Sequence, residues 1–153
     1  MTTAVQDKIE RQIALKAAPE RVWRALTDIR EFAQWFGVTI RSGDFKPGAR
    51  VECTSVLDDC AGELFFFDIV RMEAPHTLVW RWHPGFKDPA MDYSQEPMTE
   101  VTFRLEAAEG GTRLTIVESG FDKIRPERRM KVFGENSHGW DEQIKFIQKH
   151  VER

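Results

Sequence analysis

Cysteine is scarce in this chain of 153 residues, which contains only Cys53 and Cys60. The pair forms neither a CxxC motif nor a disulfide framework, and two cysteines cannot supply the four thiolates of an iron–sulfur cluster. A GxGxxG motif for a dinucleotide is also missing. We therefore expect no cofactor, and two reduced thiols in a cytoplasmic protein.

Long apolar runs are missing as well. The longest run, Leu64–Phe67, is far too short to span a bilayer, and residues 1–12 lack the apolar core of a signal peptide. Neither sign of charge dominates, because 22 lysines and arginines and 25 aspartates and glutamates give a net charge of -3. These features predict a cytoplasmic protein that neither inserts into membranes nor binds nucleic acid.

Histidine is infrequent too, with four residues at His76, His83, His138 and His150. Their spacing does not match that of metal ligands, so no metal site is expected. There is no GxSxG elbow for a nucleophilic serine. Adjacent helical residues such as Ser137 and His138 do not face each other, so the motifs identify no catalytic residue.

Aromatic residues, by contrast, are abundant. The chain contains 11 phenylalanines and 5 tryptophans but a single tyrosine, within an ordinary hydrophobic content of 41%. The apolar interior is therefore expected to be unusually aromatic. The length predicts one domain over residues 1–153.

The periodicity of the chain changes from strand to helix and back. Residues 9–15 alternate apolar and polar side chains, as in a half-exposed strand. Residues 18–28 have helical periodicity, with Pro19 at the first helical position. A second short helix, residues 31–36, ends at Gly37. Five further strands are predicted at residues 50–57, 63–73, 77–83, 99–107 and 113–119.

A long amphipathic helix, from about Pro126 to Val151, follows the last strand. A meander with short connections should be antiparallel, and one helix covers only one face of it. The order therefore predicts an α+β fold. Its curved antiparallel sheet of six to seven strands wraps around the C-terminal helix, with two short helices after the first strand.

The long helix carries one apolar stripe that a small polar residue interrupts. Its members are Met130, Phe133, Ser137, Trp140, Ile144, Ile147 and Val151. Gly134 and Gly139 each cost about 1 kcal/mol in a helix relative to alanine. Three explanations stay open: the helix breaks there, small residues allow close approach to the sheet, or they leave space for a cavity. Ser137, which lies on the stripe, points to such a space more directly than the glycines.

Six motifs span nearly the whole chain: APERVWRALTD (18–28), WFG (35–37), TLVWRW (77–82), TEVTFRLE (99–106), GGTRLTIVESGF (110–121) and GWDEQIKFI (139–147). In this order they resemble the START-like superfamily, or helix-grip fold. The most similar branch is the homologues of the activator of the ninety-kilodalton heat-shock protein ATPase. The resemblance implies a cavity between the concave sheet and the C-terminal helix. Superfamily members bind lipids, hormones, polyketides or other mostly apolar molecules there, a few are enzymes, and others are partners of chaperones.

Such a cavity would take its walls from the inner face of the sheet and from the helices. The candidate ligand-binding residues are Phe36, Phe67, Trp80, Trp82, Phe103, Met130, Phe133, Ser137 and Trp140. For the aromatic residues of the strands, plain core packing is the alternative. Glu118 lies in the inward register of its strand and is a candidate polar anchor for a ligand. Alternatively the strand has already reached solvent there, or Arg81 or Arg113 neutralises the carboxylate.

His83 ends a strand at the start of the 84–98 segment, which is long for a meander connection. Two interpretations stay open for this segment. It either folds Met91 and Tyr93 over an opening, as a lid, or is a passive surface loop.

Three functional hypotheses follow from these features. The first is a carrier or sensor that binds a small, largely hydrophobic molecule, for example an aromatic one. The second is a small cofactor-free enzyme of cyclase, dehydratase or hydrolase type, with Glu118 and His83 as its only candidate catalytic residues. The third is a co-chaperone-like interaction module, and a monomer and a dimer both stay open.

Overall fold

Seven strands and three α-helices are found in the part of the chain that the computed structural model describes, residues 7–57 and 61–153. The strands are β1 (Lys8–Leu15), β2 (Val38–Ser42), β3 (Arg50–Ser55), β4 (Leu64–Glu73), β5 (Thr77–Trp82), β6 (Thr99–Ala108) and β7 (Gly111–Ser119). The helices are α1 (Pro19–Thr27), α2 (Ile29–Phe36) and α3 (Pro126–Val151). Cys60 and the first six residues lie outside this description.

The strands form one antiparallel sheet in the order β1-β7-β6-β5-β4-β3-β2, and the helices pack on one face of it. The predicted α+β helix-grip fold is confirmed. The sequence pattern missed β2, because this short edge strand buries only Val38 among its five residues and offers little alternation. None of the described helices has the length and apolar character needed to cross a membrane.

The two short helices are positioned by their ends. Pro19 occupies the first turn of α1. The side chain of Asp28 caps α2 by accepting hydrogen bonds from the backbone N–H groups of Arg30 and Glu31, at 3.0 and 3.1 Å. Gly37 ends α2 with a φ of +82°, which a residue with a side chain rarely adopts. These ends place α2 across the inner face of the sheet.

An aromatic cluster around Trp80 on β5 packs the sheet against α2. The ring of Trp80 stacks on Phe67, with centroids 4.3 Å apart, and contacts Phe103 at 4.9 Å and Phe32 at 5.8 Å. All four side chains are fully buried. Rings of this size remove a large apolar area from water, so this end of the interior is a packed core.

The long helix α3 continues through both glycines, so the first explanation for them, a break, is wrong. Its second half turns the predicted face inward, since Trp140, Ile147 and Val151 are buried. The prediction is wrong in the first half, where Met130 is 86% exposed and Val132 is buried instead.

Candidate functional site

A cavity of about 140 Å³ lies between the middle of α3 and the sheet. Its walls come from the end of α2, from β2 to β5 and their connections, from the start of the 84–98 segment, and from α3. An apolar cavity of about 150 Å³ can hold a molecule of benzene's size. The space is therefore large enough for a single small ring.

Five phenylalanine and tryptophan side chains line this cavity: Phe36, Phe65, Trp82, Phe86 and Trp140. The ring of Trp82 lies 6.3 Å from Phe36, 6.1 Å from Phe65 and 6.0 Å from Trp140. The rings meet in tilted and edge-to-face geometries, which aromatic groups favour. Three residues predicted from the sequence, Phe36, Trp82 and Trp140, thus meet at one cavity.

The two glycines of α3 differ in what surrounds them. Gly139 lines the cavity, whereas Gly134 is exposed and does not. Among the described residues, a Cβ atom added at either position would have no neighbour within 4 Å apart from the adjacent residues and backbone of its own helix. Close approach to the sheet, the second explanation, therefore does not account for either glycine, while the third, space for a cavity, fits Gly139.

Ser137 does not line the cavity and is hydrogen-bonded to Arg11. Its hydroxyl and its carbonyl oxygen both accept from the guanidinium of Arg11, at 2.8 and 3.2 Å. Arg11 lies on β1 and also pairs with Asp141 at 2.7 Å. The interpretation of Ser137 as the residue that leaves space was wrong, because its role on the helix is to bind the edge strand.

Two buried polar side chains in the cavity wall each keep one atom without a hydrogen-bond partner among the described residues. Gln143 is 7% exposed, and its Nε2 donates to the carbonyl oxygen of Phe36 at 3.0 Å while Oε1 has no partner. His83 is 8% exposed and has no partner for Nδ1. Burial, assisted by the charge of Lys87, lowers the pKa of His83 and favours the neutral imidazole.

Glu63 and Lys87 add two ionisable groups to the lining. Glu63 Oε1 accepts the backbone N–H of Lys87 at 2.7 Å, and Lys87 Nζ donates to the carbonyl oxygen of Gly85 at 2.6 Å. Burial raises the pKa of Glu63 and lowers the pKa of Lys87. Both shifts favour the neutral forms, as expected for groups that face an apolar space.

Glu118 is fully buried behind the cavity wall and is not part of the lining. Its carboxylate accepts from Trp82 Nε1 and Trp140 Nε1 at 2.8 Å each, from Asn136 Nδ2 at 2.9 Å, and from the hydroxyl of Thr99. Four neutral donors thus surround a buried carboxylate. Because three of them are cavity-lining residues, Glu118 fixes the position of that wall.

The alternatives considered for Glu118 are both wrong. The strand has not reached solvent, since the residue is 0% exposed. Arg81 and Arg113 do not neutralise it, because they pair with Glu100 at 3.2 Å and with Glu106 at 3.4 Å.

The start of the 84–98 segment is tied to α3 by its own backbone. Gly85 N donates to Asn136 Oδ1 at 2.9 Å, and Phe86 N donates to Glu135 Oε1 at 3.0 Å. Further along the segment, Glu96 binds Arg128 of α3 through two hydrogen bonds of 2.8 and 3.2 Å. The segment is therefore anchored across the mouth of the cavity at two points.

A second cavity, of about 420 Å³, lies under the middle of the same segment. Met91 and Tyr93, the residues predicted to fold over an opening, line it together with Arg50 and Phe66. It shares His83 with the first cavity, along with Phe65 and Lys87. The segment thus contributes side chains to the walls of both cavities.

The other predicted wall residues lie elsewhere. Phe67, Trp80 and Phe103 belong to the packed core, as the core-packing alternative expected. Phe133 packs on Phe121, with ring centroids 5.1 Å apart, and neither lines the cavity. Met130 is too exposed to face a ligand there.

Sequence reasoning missed the polar half of the lining. These residues are Ser55, Glu63, Lys87, Glu135, Asn136 and Gln143. One signal was available, because Asn136, Gln143 and the buried Ile147 recur at spacings of 7 and 4 along α3. Asn136 and Gln143 therefore lie on the same side of α3 as a buried residue. Apolar periodicity alone does not mark polar residues on an inward side of a helix.

No group of three or more histidine, cysteine, aspartate or glutamate side chains that could hold a metal occurs among residues 7–57 and 61–153. Cys53 on β3 is buried, and burial raises the pKa of its thiol to about 12. A thiol in such surroundings is unreactive. The chemistry of the site therefore lies in the cavity and its polar lining.

The fold and this cavity define a helix-grip domain with space beneath its C-terminal helix. Residues 16–152 match the family model described as activator of Hsp90 ATPase homolog 1-like protein, and the chain belongs to that family. The predicted family resemblance is confirmed. The comparison with curated proteins found no match.

Solved structures share the fold over nearly the whole chain. Protein MLL2253 from Mesorhizobium loti is 27% identical, covers 95% of this chain and 97% of its own, and has a TM-score of 0.72. Protein Ms6760 from Mycobacterium smegmatis is 21% identical over 93% and 88%, with a TM-score of 0.76. The Aha1 dimer from Colwellia psychrerythraea is 21% identical over 95% and 96%, with a TM-score of 0.72. Similarity at these identities supports the fold and leaves function to the site.

Proposed function

We propose that this protein binds a small, largely hydrophobic and preferably aromatic molecule in the cavity beneath Gly139, as a carrier or sensor. The observation that carries the proposal is the cavity of about 140 Å³ with five phenylalanine and tryptophan side chains in its walls. Binding sites of this kind are lined mainly by apolar side chains, with a few polar groups that set orientation. The polar lining of this cavity fits that description.

The helix supports the proposal through its energetics. Glycine at position 139 costs about 1 kcal/mol of helix stability relative to alanine, and no neighbouring atom requires it. What glycine preserves at this position is the volume of the cavity. A glycine that lowers helix stability but preserves cavity volume is expected where the cavity binds a ligand.

A cavity-filling substitution tests the proposal. Gly139→Leu should fill the space, whereas Gly134→Leu places the same side chain on the exposed surface of the same helix. Both variants should fold at least as well as the wild type, because leucine is a better helix former than glycine. Benzene, toluene and naphthalene are titrated into each protein by calorimetry, with the fluorescence of Trp82 and Trp140 as a second readout.

We expect the wild type and Gly134→Leu to bind at least one single-ring probe, with dissociation constants roughly in the micromolar to millimolar range for so few atoms. Gly139→Leu should weaken binding at least about tenfold by excluding the probe. Equal binding by both variants, or no binding by the wild type, would refute the proposal.

A second candidate is a cofactor-free enzyme of cyclase, dehydratase or hydrolase type that uses the same cavity. It is favoured by His83, Glu63 and Lys87, because burial shifts the pKa of each toward its neutral form. Glu118 does not line the cavity, which leaves His83 as the candidate from the sequence. Recovery of every bound probe unchanged supports a carrier, while conversion that His83→Gln abolishes supports an enzyme.

A role as a chaperone partner, which the family description suggests, has less support. The outward face of the sheet carries cross-strand ion pairs such as Arg50–Asp68 at 2.7 Å and Arg81–Glu100 at 3.2 Å. Paired charges are typical of a solvated face. Co-purification of a ninety-kilodalton chaperone with the protein would nevertheless favour this third role over the other two.

A further inference from the structure

If the protein binds a ligand in this cavity, as proposed, the polar atoms of the cavity wall indicate which chemical group that ligand carries. Gln143 is held in one orientation, because its Nε2 already donates to the carbonyl oxygen of Phe36 at 3.0 Å. Reversing the amide would place two carbonyl-type oxygens against each other. The oxygen Oε1 is therefore the atom without a partner, and it can only accept a hydrogen bond.

His83 provides a second such atom on the same cavity. Its side chain is 8% exposed, and Nδ1 has no partner among the described residues. A neutral imidazole nitrogen accepts or donates according to its tautomer. A hydroxyl group can serve either tautomer, since it both donates and accepts.

These two atoms differ from the third buried polar atom without a partner in the described residues, Trp80 Nε1. Trp80 lies among the aromatic rings of the packed core and lines neither cavity. Gln143 lines only the first cavity, whereas His83 lines both cavities and its ring contacts Phe66 of the second. Buried polar groups are nearly always hydrogen-bonded, so Gln143 Oε1, which has no partner among the described residues, indicates a donor that the ligand supplies.

We propose that the ligand is a small neutral aromatic molecule bearing a hydroxyl or N–H donor, and that Gln143 Oε1 accepts its hydrogen bond, with His83 Nδ1 as a second polar contact. A single phenol-type ring satisfies this description. The ligand class deepens the proposed binding function and depends on it.

The lining offers an anionic ligand little stabilisation. Its one lysine is Lys87, and burial favours the neutral form of this side chain. A carboxylate ligand would also bring no donor for Gln143 Oε1. A cationic ligand would have to lose its hydration in a cavity whose accessible surface is mainly apolar. A neutral donor avoids both penalties.

Phenol and toluene test the proposal because they have nearly the same size and differ in a hydroxyl and a methyl group. In a purely apolar cavity toluene binds more tightly, since the hydroxyl would lose its hydrogen bonds to water. We expect the opposite order in the wild type, with phenol bound about tenfold more tightly than toluene. Calorimetry on the full chain measures both affinities.

Gln143→Met tests the assigned acceptor, since methionine has a similar length and no carbonyl oxygen. The variant should bind toluene as the wild type does and lose the preference for phenol. Gln148→Met, on the same helix outside the cavity, is the matched control and should keep that preference.

The outcomes separate the two levels of the proposal. Toluene bound as tightly as phenol by the wild type would overturn the ligand class, as expected if water satisfies Gln143 Oε1, and would leave the binding cavity intact. A phenol preference that survives Gln143→Met would overturn the assigned acceptor. Binding of neither probe, nor of naphthalene, would overturn the binding function itself.

Discussion

Trp80 and Trp82 lie two positions apart on the same face of β5, yet their surroundings differ. The indole of Trp80 is fully buried among Phe67 and Phe103, and its N–H has no partner among the described residues. The indole of Trp82 lines the cavity and donates to Glu118 at 2.8 Å. The two rings are only 5.4 Å apart, so a packed core gives way to a cavity wall between neighbouring side chains.

The covering helices explain this difference. At the Trp80 end, α2 contributes Phe32, whose ring lies 5.8 Å from Trp80 and fills the space above the strand. At the Trp82 end, α3 contributes Gly139, which leaves the space open. Residue type and strand register therefore do not decide by themselves whether an aromatic side chain is core or cavity wall. The residues that the covering helices place above the strand contribute as well.

The largest expected effect separates the two tryptophans. Trp80→Ala should destabilise the protein by about 3 to 5 kcal/mol, because it opens a new void inside a packed core. Trp82→Ala should cost about half as much, since its side chain is only partly buried and already faces a cavity. Urea denaturation followed by circular dichroism measures both values.

A cost for Trp82→Ala that equals or exceeds the cost for Trp80→Ala would contradict this comparison. It would mean that the cavity end carries as much packing energy as the core end. The phenylalanine variants refine the result: Trp80→Phe loses no hydrogen bond, whereas Trp82→Phe removes one of the donors to Glu118.

The second, smaller effect is the loss of stability on substitution of Glu118, which lies at the Trp82 end. Glu118→Gln replaces one oxygen, on which buried donors converge, by an NH2 group. At least one indole N–H then loses its acceptor, so the protein should lose about 2 to 3 kcal/mol. Glu100→Gln on the outward face is the matched control, because its exposed pair with Arg81 should contribute at most about 1 kcal/mol.

Equal stability of Glu118→Gln and the wild type in the same urea titration would show that the carboxylate is not required to hold the wall. Ligand binding by Glu118→Gln gives an independent readout. We expect it to fall together with stability, because Trp82, Trp140 and Asn136 all donate to this one residue.

Most of the fold was predictable because its signals are local and periodic. The alternation of strands such as β6 and β7 and the capping and breaking residues of the short helices appear directly in the sequence. The limits of α3 were predicted as observed, Pro126 to Val151. The edge strand β2 was not found, since an edge strand that buries one residue has almost no periodic signal.

The site was predictable only in part, because the pattern of apolar residues detects core and not cavity. Trp82, Trp140 and Phe36 were found, but the same reasoning selected Trp80 and Phe103, which are core. Polar lining residues such as Gln143 interrupt no apolar stripe, so the pattern of apolar residues alone does not reveal them. The aromatic residues that face the cavity are determined by residues of α3, which are distant in sequence and meet β5 only in the folded chain.

The smallest expected effect concerns pH, and it too is restricted to the cavity end. Burial lowers the pKa of His83 below its ordinary value of about 6.5. On acidification the unfolded chain therefore gains this proton before the folded chain does. The free energy of unfolding should fall as the pH decreases below about 6.5, with a slope of at most about 1.4 kcal/mol per pH unit.

His83→Gln removes this titration, so its stability should depend less on pH than that of the wild type between pH 5 and 7. Trp80→Phe, at the end without an ionisable side chain, should shift the wild-type curve by a constant amount. Glu63 also titrates with a raised pKa, which acts in the opposite direction. Its contribution is common to all three proteins, so the difference between the wild type and His83→Gln isolates the histidine. If the free energy of unfolding depends on pH in the same way in these two proteins, His83 is protonated as readily in the folded chain as in the unfolded one. Solvent would then reach this end of the cavity more than the burial of His83 indicates.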